Sequence, residues 1–386
     1  MSRSISTGID IGTYHVKVVI VEQEKGRKSP RVLGTGFSES RGMRFGYITN
    51  RSDVSRSVRQ AVQQAEKQAG VSVRRAFVSL GGVGLESFWA TGSTIISRGD
   101  NTVTELDIDR ALDEAEHSLP EEDMLNRKVL HAIPLAFILD KKRVMGRPIG
   151  MRGVKLSVET HFVTCLEQHL EDTVEAVEAA GIAVEDVVAA PLAASFATLT
   201  KAQKIAGCVL ANIGSQTVSI IVYEDNLPIS IAVFPLGSND ITHDIALGLQ
   251  IPLEEAERVK LGALTARSIP KKRLDEIVNA RLTDIFEVIE GHLKKIGKNG
   301  LLPAGVILTG GGSGLTAIES FARETLKLPS KIAELHVRNT HLRDASWAVS
   351  FGLAVLGSAG GSESTGISIV KHTKKGFISW IKQFLP

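Results

Sequence analysis

Two short segments of this chain repeat a pattern that can grip an anion. DIGTYHVKVVIV runs from Asp10 to Val21, and NIGSQTVSIIVY runs from Asn212 to Tyr223. Each places a polar side chain two residues before a glycine and a hydroxyl just after it, with apolar residues on both sides. The pattern predicts a strand, a tight glycine turn and a returning strand. The turn's N–H groups and hydroxyl are then free to cradle a phosphate. One such hairpin says little; two predict like-folded halves closing on one ligand.

A third element is GVILTGGGSGL at Gly305 to Leu315, an apolar strand running into consecutive glycines. Glycine is needed where backbone meets a ligand face or turns to positive φ. In chain order the set is hairpin, apolar helix at Pro191 to Leu199, hairpin, glycine-rich strand end, and an Ala/Gly-rich helix at Asp344 to Leu356. That ordered set resembles the five-part nucleotide site of the actin, Hsp70 and sugar-kinase superfamily, over roughly residues 5 to 357. The implied fold is α/β and actin-like: two RNase H-like halves around a nucleotide cleft.

The resemblance implies a role for each position. Gly12 and Thr13 form the turn at the phosphates of ATP, with Tyr14 at its exit, and Asp10 faces Mg²⁺ through water, since Mg²⁺ dehydrates reluctantly. Lys17 either reaches back to a phosphate oxygen or stands exposed on the strand; the spacing leaves both open. Gly214, Ser215, Gln216 and Thr217 form the matching loop. Gly310, Gly311, Gly312 and Gly314 line one side of the adenine. Glu257 and Lys260 cover base and ribose, or form an i,i+3 surface pair. Position 212 departs from hydrolytic relatives, which usually carry Asp there. Asn212 can hydrogen-bond a water or a phosphate but cannot hold negative charge. The stretch Val188-Ala189-Ala190-Pro191 likewise offers no polar side chain to position water. Binding is therefore expected to outlive turnover, and no catalytic residue is assigned.

The elements that must position these residues are legible from length and pattern. A chain of 386 residues exceeds what one core supports and predicts two to three domains. Net charge of +2 gives no general attraction to nucleic acid, and none is expected as a partner. Cys165 and Cys208 lack metal-like spacing, so a reducing compartment without disulfides is expected. There is no signal-peptide pattern and no apolar run of about 18 residues, which predicts a cytosolic chain or one attached from the cytosolic side.

The first half is predicted from 1–82, 162–203 and 340–357, with a helix at Asp53 to Gln68 stopped by Gly70 and a strand at Arg75 to Leu80. Residues 83–161 read as a small α+β insertion with strands at Ser87 to Ile96 and Val129 to Leu139 and a helix at about Glu105 to Leu119. The α/β pattern is expected to resume with a strand at His161 to Leu166. The second half is 204–237 and 301–339. Residues 238–300 read as a helical insertion, with helices at Ile241 to Leu249, Glu254 to Leu264 and Leu274 to Ile296. Its basic residues, Lys271, Lys272, Arg273, Arg281, Lys294, Lys295 and Lys298, read as a solvated face. Residues 358–370, rich in Gly and Ser, read as a flexible tether.

Residues 371–386 differ in kind. On a helical wheel Phe377, Ile378, Trp380, Ile381, Phe384 and Leu385 share an arc of about 160°. Lys371, Lys374, Lys375 and Lys382 supply positive charge with no acidic residue. That describes an amphipathic helix lying in an anionic membrane interface. Burial of six such side chains at ~1 kcal/mol each predicts reversible attachment for one copy and firm attachment for a polymer.

Nucleotide site, insertion and basic amphipathic tail together resemble the FtsA family of bacterial actin-like division proteins. The resemblance implies anchoring of the FtsZ ring at the cytoplasmic face of the cell membrane, head-to-tail filaments, and recruitment of other division proteins. It also implies docking of the FtsZ C-terminal peptide on the second insertion, near Arg281, Lys294 and Lys295. A pilus-assembly actin-like protein shares the two-insertion layout but normally lacks such a tail. A sugar- or acetate-kinase-type phosphotransferase would need a general base that the sequence does not offer.

Overall fold

The first hairpin forms from β1 (Arg3–Ile11) and β2 (His15–Glu24), antiparallel with Asp10 opposite Lys17 and Ile11 opposite Val16. The structure, a computed structural model, describes residues 3–24, 30–263, 270–316, 318–335 and 344–360. β3 (Arg31–Glu39) continues the meander as an edge strand, and a short hairpin follows, β4 (Met43–Arg44) and β5 (Tyr47–Ile48). Helix α1 (Arg51–Ala69) opens on Asn50, whose side chain accepts from Asp53 N, and ends at Gly70 with φ 69°. Its Gln64 and Gln68 accept from Phe37 N and Thr35 N, satisfying edge-strand donors that would otherwise be open to pairing. β6 (Arg75–Leu80) completes the stretch before the first insertion.

The insertion consists of β7 (Glu86–Ile95), α2 (Glu105–His117), α3 (Glu121–Met124), β8 (Arg127–Leu139), β9 (Lys142–Val144) and β10 (Lys155–Leu166). Its sheet runs β7-β10-β8-β9, and α2 covers it with Ile108, Ala111, Leu112 and Ala115. This corrects the expected boundary. His161 to Leu166 is no strand of the first half but the end of β10, paired with β7 from Lys155–Ile95 through Thr164–Glu86. The apolar run that suggested a fresh strand is the second half of one long strand, mostly buried from His161 onward. The insertion also bears on the other half of the molecule. Ser87 Oγ bonds both N and O of Ile231, and Trp89 Nε1 donates to Ile229 O at 3.1 Å.

The chain returns through α4 (Glu167–Glu178), β11 (Ala183–Ala189), α5 (Ala190–Thr198) and α6 (Lys201–Ala206). β11 was not anticipated; it lies parallel to β6. The second half then opens with β12 (Cys208–Ile213), β13 (Val218–Glu224) and β14 (Leu227–Phe234). The helical insertion follows as α7 (Ser238–Leu249), α8 (Leu253–Lys260) and α9 (Lys271–Lys295). α9 buries Leu282, Ile285, Phe286, Ile289 and Leu293 against the sheet. Each such side chain contributes about 1.5–3 kcal/mol relative to exposure, so a charge at Ile285 or Phe286 would strip the helix from its sheet. β15 (Val306–Thr309), α10 (Ile318–Leu326), β16 (Ser330–Ile332) and α11 (Ala348–Gly360) complete the described chain.

The two large sheets repeat one another strand for strand. The first is ordered β3-β2-β1-β6-β11 and the second β14-β13-β12-β15-β16. In each, a three-strand antiparallel meander is followed by two parallel strands on the far side of its first strand. α5 and α11 pack together between them so closely that a Cβ on Gly352 would stand 1.9 Å from Ala193 O. α11 also runs past Gly357 to Gly360, into the stretch expected as tether. Gly357 lies against Ser6 and Phe77, which fixes that last turn on the first sheet.

Candidate nucleotide site

The two glycine turns have the same geometry. Gly12 N donates to His15 O at 3.1 Å, and Gly214 N donates to Thr217 O at 2.8 Å. A Cβ on either glycine would stand 2.8 Å from that same carbonyl, so any side chain would force the turn open. Each turn leaves the end of the central strand of its sheet. Thr13 and Ser215 occupy corresponding places on the tips, and Tyr14 is 55% exposed beside His15.

Asp10 is partly buried just before the first turn, and its Oδ1 accepts from Ser79 Oγ at 2.8 Å. Burial raises its pKa above the ordinary carboxylate value, opposed by the Ser79 hydrogen bond and by the positive charge of Lys17. Lys17 is not a free strand lysine. Its Nζ donates to Ser346 O at 2.7 Å and lies over the Trp347 ring, and burial lowers its pKa against the pull of Asp10 and Asp344. Among the described residues no group of three or more His, Cys, Asp or Glu could hold a metal by itself. One carboxylate with hydroxyl neighbours suits Mg²⁺ instead, which keeps several waters and takes its remaining oxygens from phosphates.

On the second turn the helical insertion sits directly against the loop. Ser238 N donates to Gly214 O and Asn239 N to Ser215 O, at 2.9 and 2.8 Å, so the start of α7 is stitched to it. Glu257 and Lys260 form the i,i+3 pair that was one of the two readings, but with the lysine buried. They meet at 2.7 Å, and both bond Thr242 Oγ1, while Lys260 Nζ also donates to Ser238 O. With its side chain 5% exposed, Lys260 is a strut between α8 and the start of α7. Gln216, expected among the phosphate contacts, instead accepts from Phe45 N at 2.8 Å across the two halves. Phe45 holds φ 49°, an uncommon conformation for a bulky residue.

The glycine run divides in two. Gly310, at φ 86°, and Gly312 are glycines because Asn212 and Ile213 leave no room for a Cβ, at 2.2 and 2.5 Å respectively. Gly311 and Gly314 face open space and are the two that leave a flat surface free. Asn212, on β12, thus lies with its side chain against the glycine run, while Val188, Ala189 and Ala190 are buried and apolar.

The expected partner residues do not form one patch. Arg281 is held by Asp244, at 2.7 and 3.1 Å, and by Asp284 at 3.1 Å. Lys294 pairs with Glu290 and is exposed, as is Lys295. At 100° per residue, Lys294 lies about 140° round α9 from Arg281 and roughly 20 Å along it. Arg273 and Lys298 are likewise engaged, with Gly248 O and Glu224. Phe377, Ile378, Trp380, Ile381, Phe384 and Leu385, expected to face a membrane, lie outside the described residues. Ser79, Phe45, Ser238 and Thr242 were not anticipated, because a single hydroxyl or a backbone N–H leaves no periodic signal.

Duplicated sheets, matched turns and helices packed between them define an actin-like fold. Solved structures with the same arrangement include a PilM-PilN type IV pilus biogenesis complex, at TM-score 0.66 and 18% identity over 92% of this chain and 98% of that one. MreB5 of Spiroplasma citri bound to ADP follows at TM-score 0.52 and 12% identity, covering 92% and 96%. The family model described as "Cell division protein FtsA" matches residues 209–352, and that described as "SHS2 domain inserted in FTSA" matches residues 84–164. Cell division protein FtsA of Borreliella burgdorferi is 30% identical, covering 86% of this chain and 85% of its own length. The Neisseria meningitidis protein is also 30% identical, covering 89% and 88%. This chain belongs to the FtsA family of cell division proteins.

Proposed function

We propose that the cleft binds ATP with Mg²⁺ and that the protein anchors FtsZ polymers to the cytoplasmic face of the membrane during division. The pair of matched turns, Gly12–His15 and Gly214–Thr217, is the observation that carries the nucleotide reading. Their free N–H groups and hydroxyls suit phosphate oxygens. Asp10, with Thr13 beside it, would hold the hydrated metal, and Gly311 and Gly314 leave a flat face for the base. Bound Mg²⁺ would supply charge neutralisation of the phosphates. Asn212 and the apolar Val188-to-Pro191 stretch offer neither a base nor a water-positioning group, so the nucleotide acts as a structural ligand more than a substrate.

Family membership supports the remaining assignments: self-assembly into filaments, FtsZ tail recognition, recruitment of later division proteins, and attachment through residues 371–386. Arg281 is spent within the chain, so Lys295, with Lys294 beside it, is the better candidate to meet an acidic peptide. A pull-down with an FtsZ C-terminal peptide tests the partner assignment. Capture by the full chain is expected, with loss when Lys294 and Lys295 are both reversed to Glu. No capture by the unaltered chain contradicts it.

A further inference from the structure

We infer that Ser79 is a positioning residue for the metal-bearing edge of the nucleotide site, fixing which oxygen of Asp10 is offered to the ligand. The inference rests on the nucleotide reading above and goes beyond it, because Ser79 belongs to no phosphate loop. The parallel pairing of β1 with β6 is recorded at Gly8–Phe77 and Ile9–Val78. Beyond it, β1 opens toward its glycine turn, and the next inward donor, Ile11 N, finds the Ser79 hydroxyl at 3.1 Å in place of a backbone carbonyl. The same Oγ donates to Asp10 Oδ1 at 2.8 Å.

Ser79 is 3% exposed, so the hydroxyl has no bulk water to turn to. Having accepted from Ile11, it has one proton to give, and Asp10 Oδ1 takes it. A carboxylate with one oxygen pinned has lost its rotation. Oδ2 accepts no hydrogen bond among the described residues, and is the oxygen left to face hydrated Mg²⁺. Outer-shell partners of this kind typically change metal affinity 10- to 100-fold when removed. Ser79 also sits just before Leu80, which ends β6, and Gly81, which starts the path into the inserted subdomain.

A merely structural serine and a positioning serine predict different losses. ATP affinity of the full chain is measured by calorimetry, with Mg²⁺ and with EDTA, for the unaltered protein, Ser79→Ala and Ser79→Thr. The expected result is that Ser79→Ala shrinks the gain given by Mg²⁺ about tenfold while leaving the EDTA affinity unchanged. Ser79→Thr, which keeps the hydroxyl, retains the gain. If Ser79→Ala keeps the full Mg²⁺ gain, or loses both affinities together, the inference is wrong. Should Ser79→Ala fail to fold, Ser79→Thr decides alone, and loss of the Mg²⁺ gain in that folded variant overturns the inference. An unaltered chain that binds ATP without any gain from Mg²⁺ overturns the inference alone. One that binds no ATP at all removes the nucleotide reading first.

Discussion

Gln216 accepts a hydrogen bond from Phe45 N at 2.8 Å, joining the second glycine turn to the half of the molecule that carries the first. The contact reaches further than its two residues. Phe45 belongs to the link between β4 and β5, where Gly46 lies against Gly82 at the root of the inserted subdomain and Tyr47 stacks edge-on with His169. Gln216→Ala leaves Phe45 N without its partner, a loss of about 1–3 kcal/mol if the group stays dry. Faster hydrogen exchange at residues 43–48 is expected, together with weaker ATP binding. Unchanged exchange there would show that the two halves are held together by other contacts.

Asp10→Ala and Gly12→Val should both abolish Mg·ATP binding, for different reasons. The first removes the only carboxylate placed before the turn. The second puts a β-branched side chain 2.8 Å from His15 O, where the turn has no room for it. Circular dichroism of Asp10→Ala should match the unaltered protein. If either variant binds ATP normally, the phosphate-loop assignment fails.

Two buried histidines should make the protein lose stability on acidification. Burial holds the His131 pKa down to about 3 and that of His161 to about 4, both far below 6.5. The unfolded chain therefore binds protons that the folded one refuses. Stability from these rings is fully present above about pH 6.5 and falls by about 1.4 kcal/mol per pH unit per histidine on acidification toward pH 4. His161 Nδ1 donates to Pro228 O, joining the insertion to the second half, while its Nε2 meets Ser87 Oγ within the insertion. Denaturant melts of His161→Gln should show a shallower fall between pH 6.5 and 4.5, by about 1.4 kcal/mol per unit. An identical slope would assign the acid sensitivity elsewhere.

The tail prediction separates apolar contact from charge. Trp380→Glu puts a carboxylate in the apolar arc, where membrane insertion must desolvate or neutralise it. Lys382→Ala loses about 1 kcal/mol of interfacial attraction. Trp380→Glu, or truncation before Lys371, should release the protein from anionic vesicles in a co-sedimentation assay with ATP binding intact. Lys382→Ala should shift only the lipid dependence. A truncated chain that still pellets in proportion to lipid would place the anchor elsewhere.

How far the sequence spoke depended on whether a feature leaves a period or a punctuation mark. The duplicated Asp10–Ile–Gly and Asn212–Ile–Gly turns, the α1 stop at Gly70 and the apolar stripe of α9 do so, and the structure places them as read. β10 was cut in two because a strand buried on both faces has no alternation to mark its continuity. Side-chain destinations were the least legible. Gln216 and Arg281 read as ligand or partner contacts, and Lys17 and Lys260 as ligand contacts or surface residues, yet each is engaged within the chain. Lys17 reaches Ser346 across 329 residues, Gln216 meets Phe45 across 171, Arg281 meets Asp244 across 37 and Lys260 meets Ser238 across 22. Local spacing cannot report such distances.

The central claim is that the two matched turns form a nucleotide site that has kept binding and given up most of its turnover. Equilibrium ATP titration and phosphate release on the same preparation, with Mg²⁺ present, test it most directly. Micromolar-range affinity is expected, with hydrolysis far below the ~10 per second of a typical enzyme. Asn212→Asp should raise the rate only modestly, because the Val188-to-Pro191 stretch still offers no side chain to position water. No ATP binding at millimolar concentration, or steady-state hydrolysis near one per second, would contradict the account.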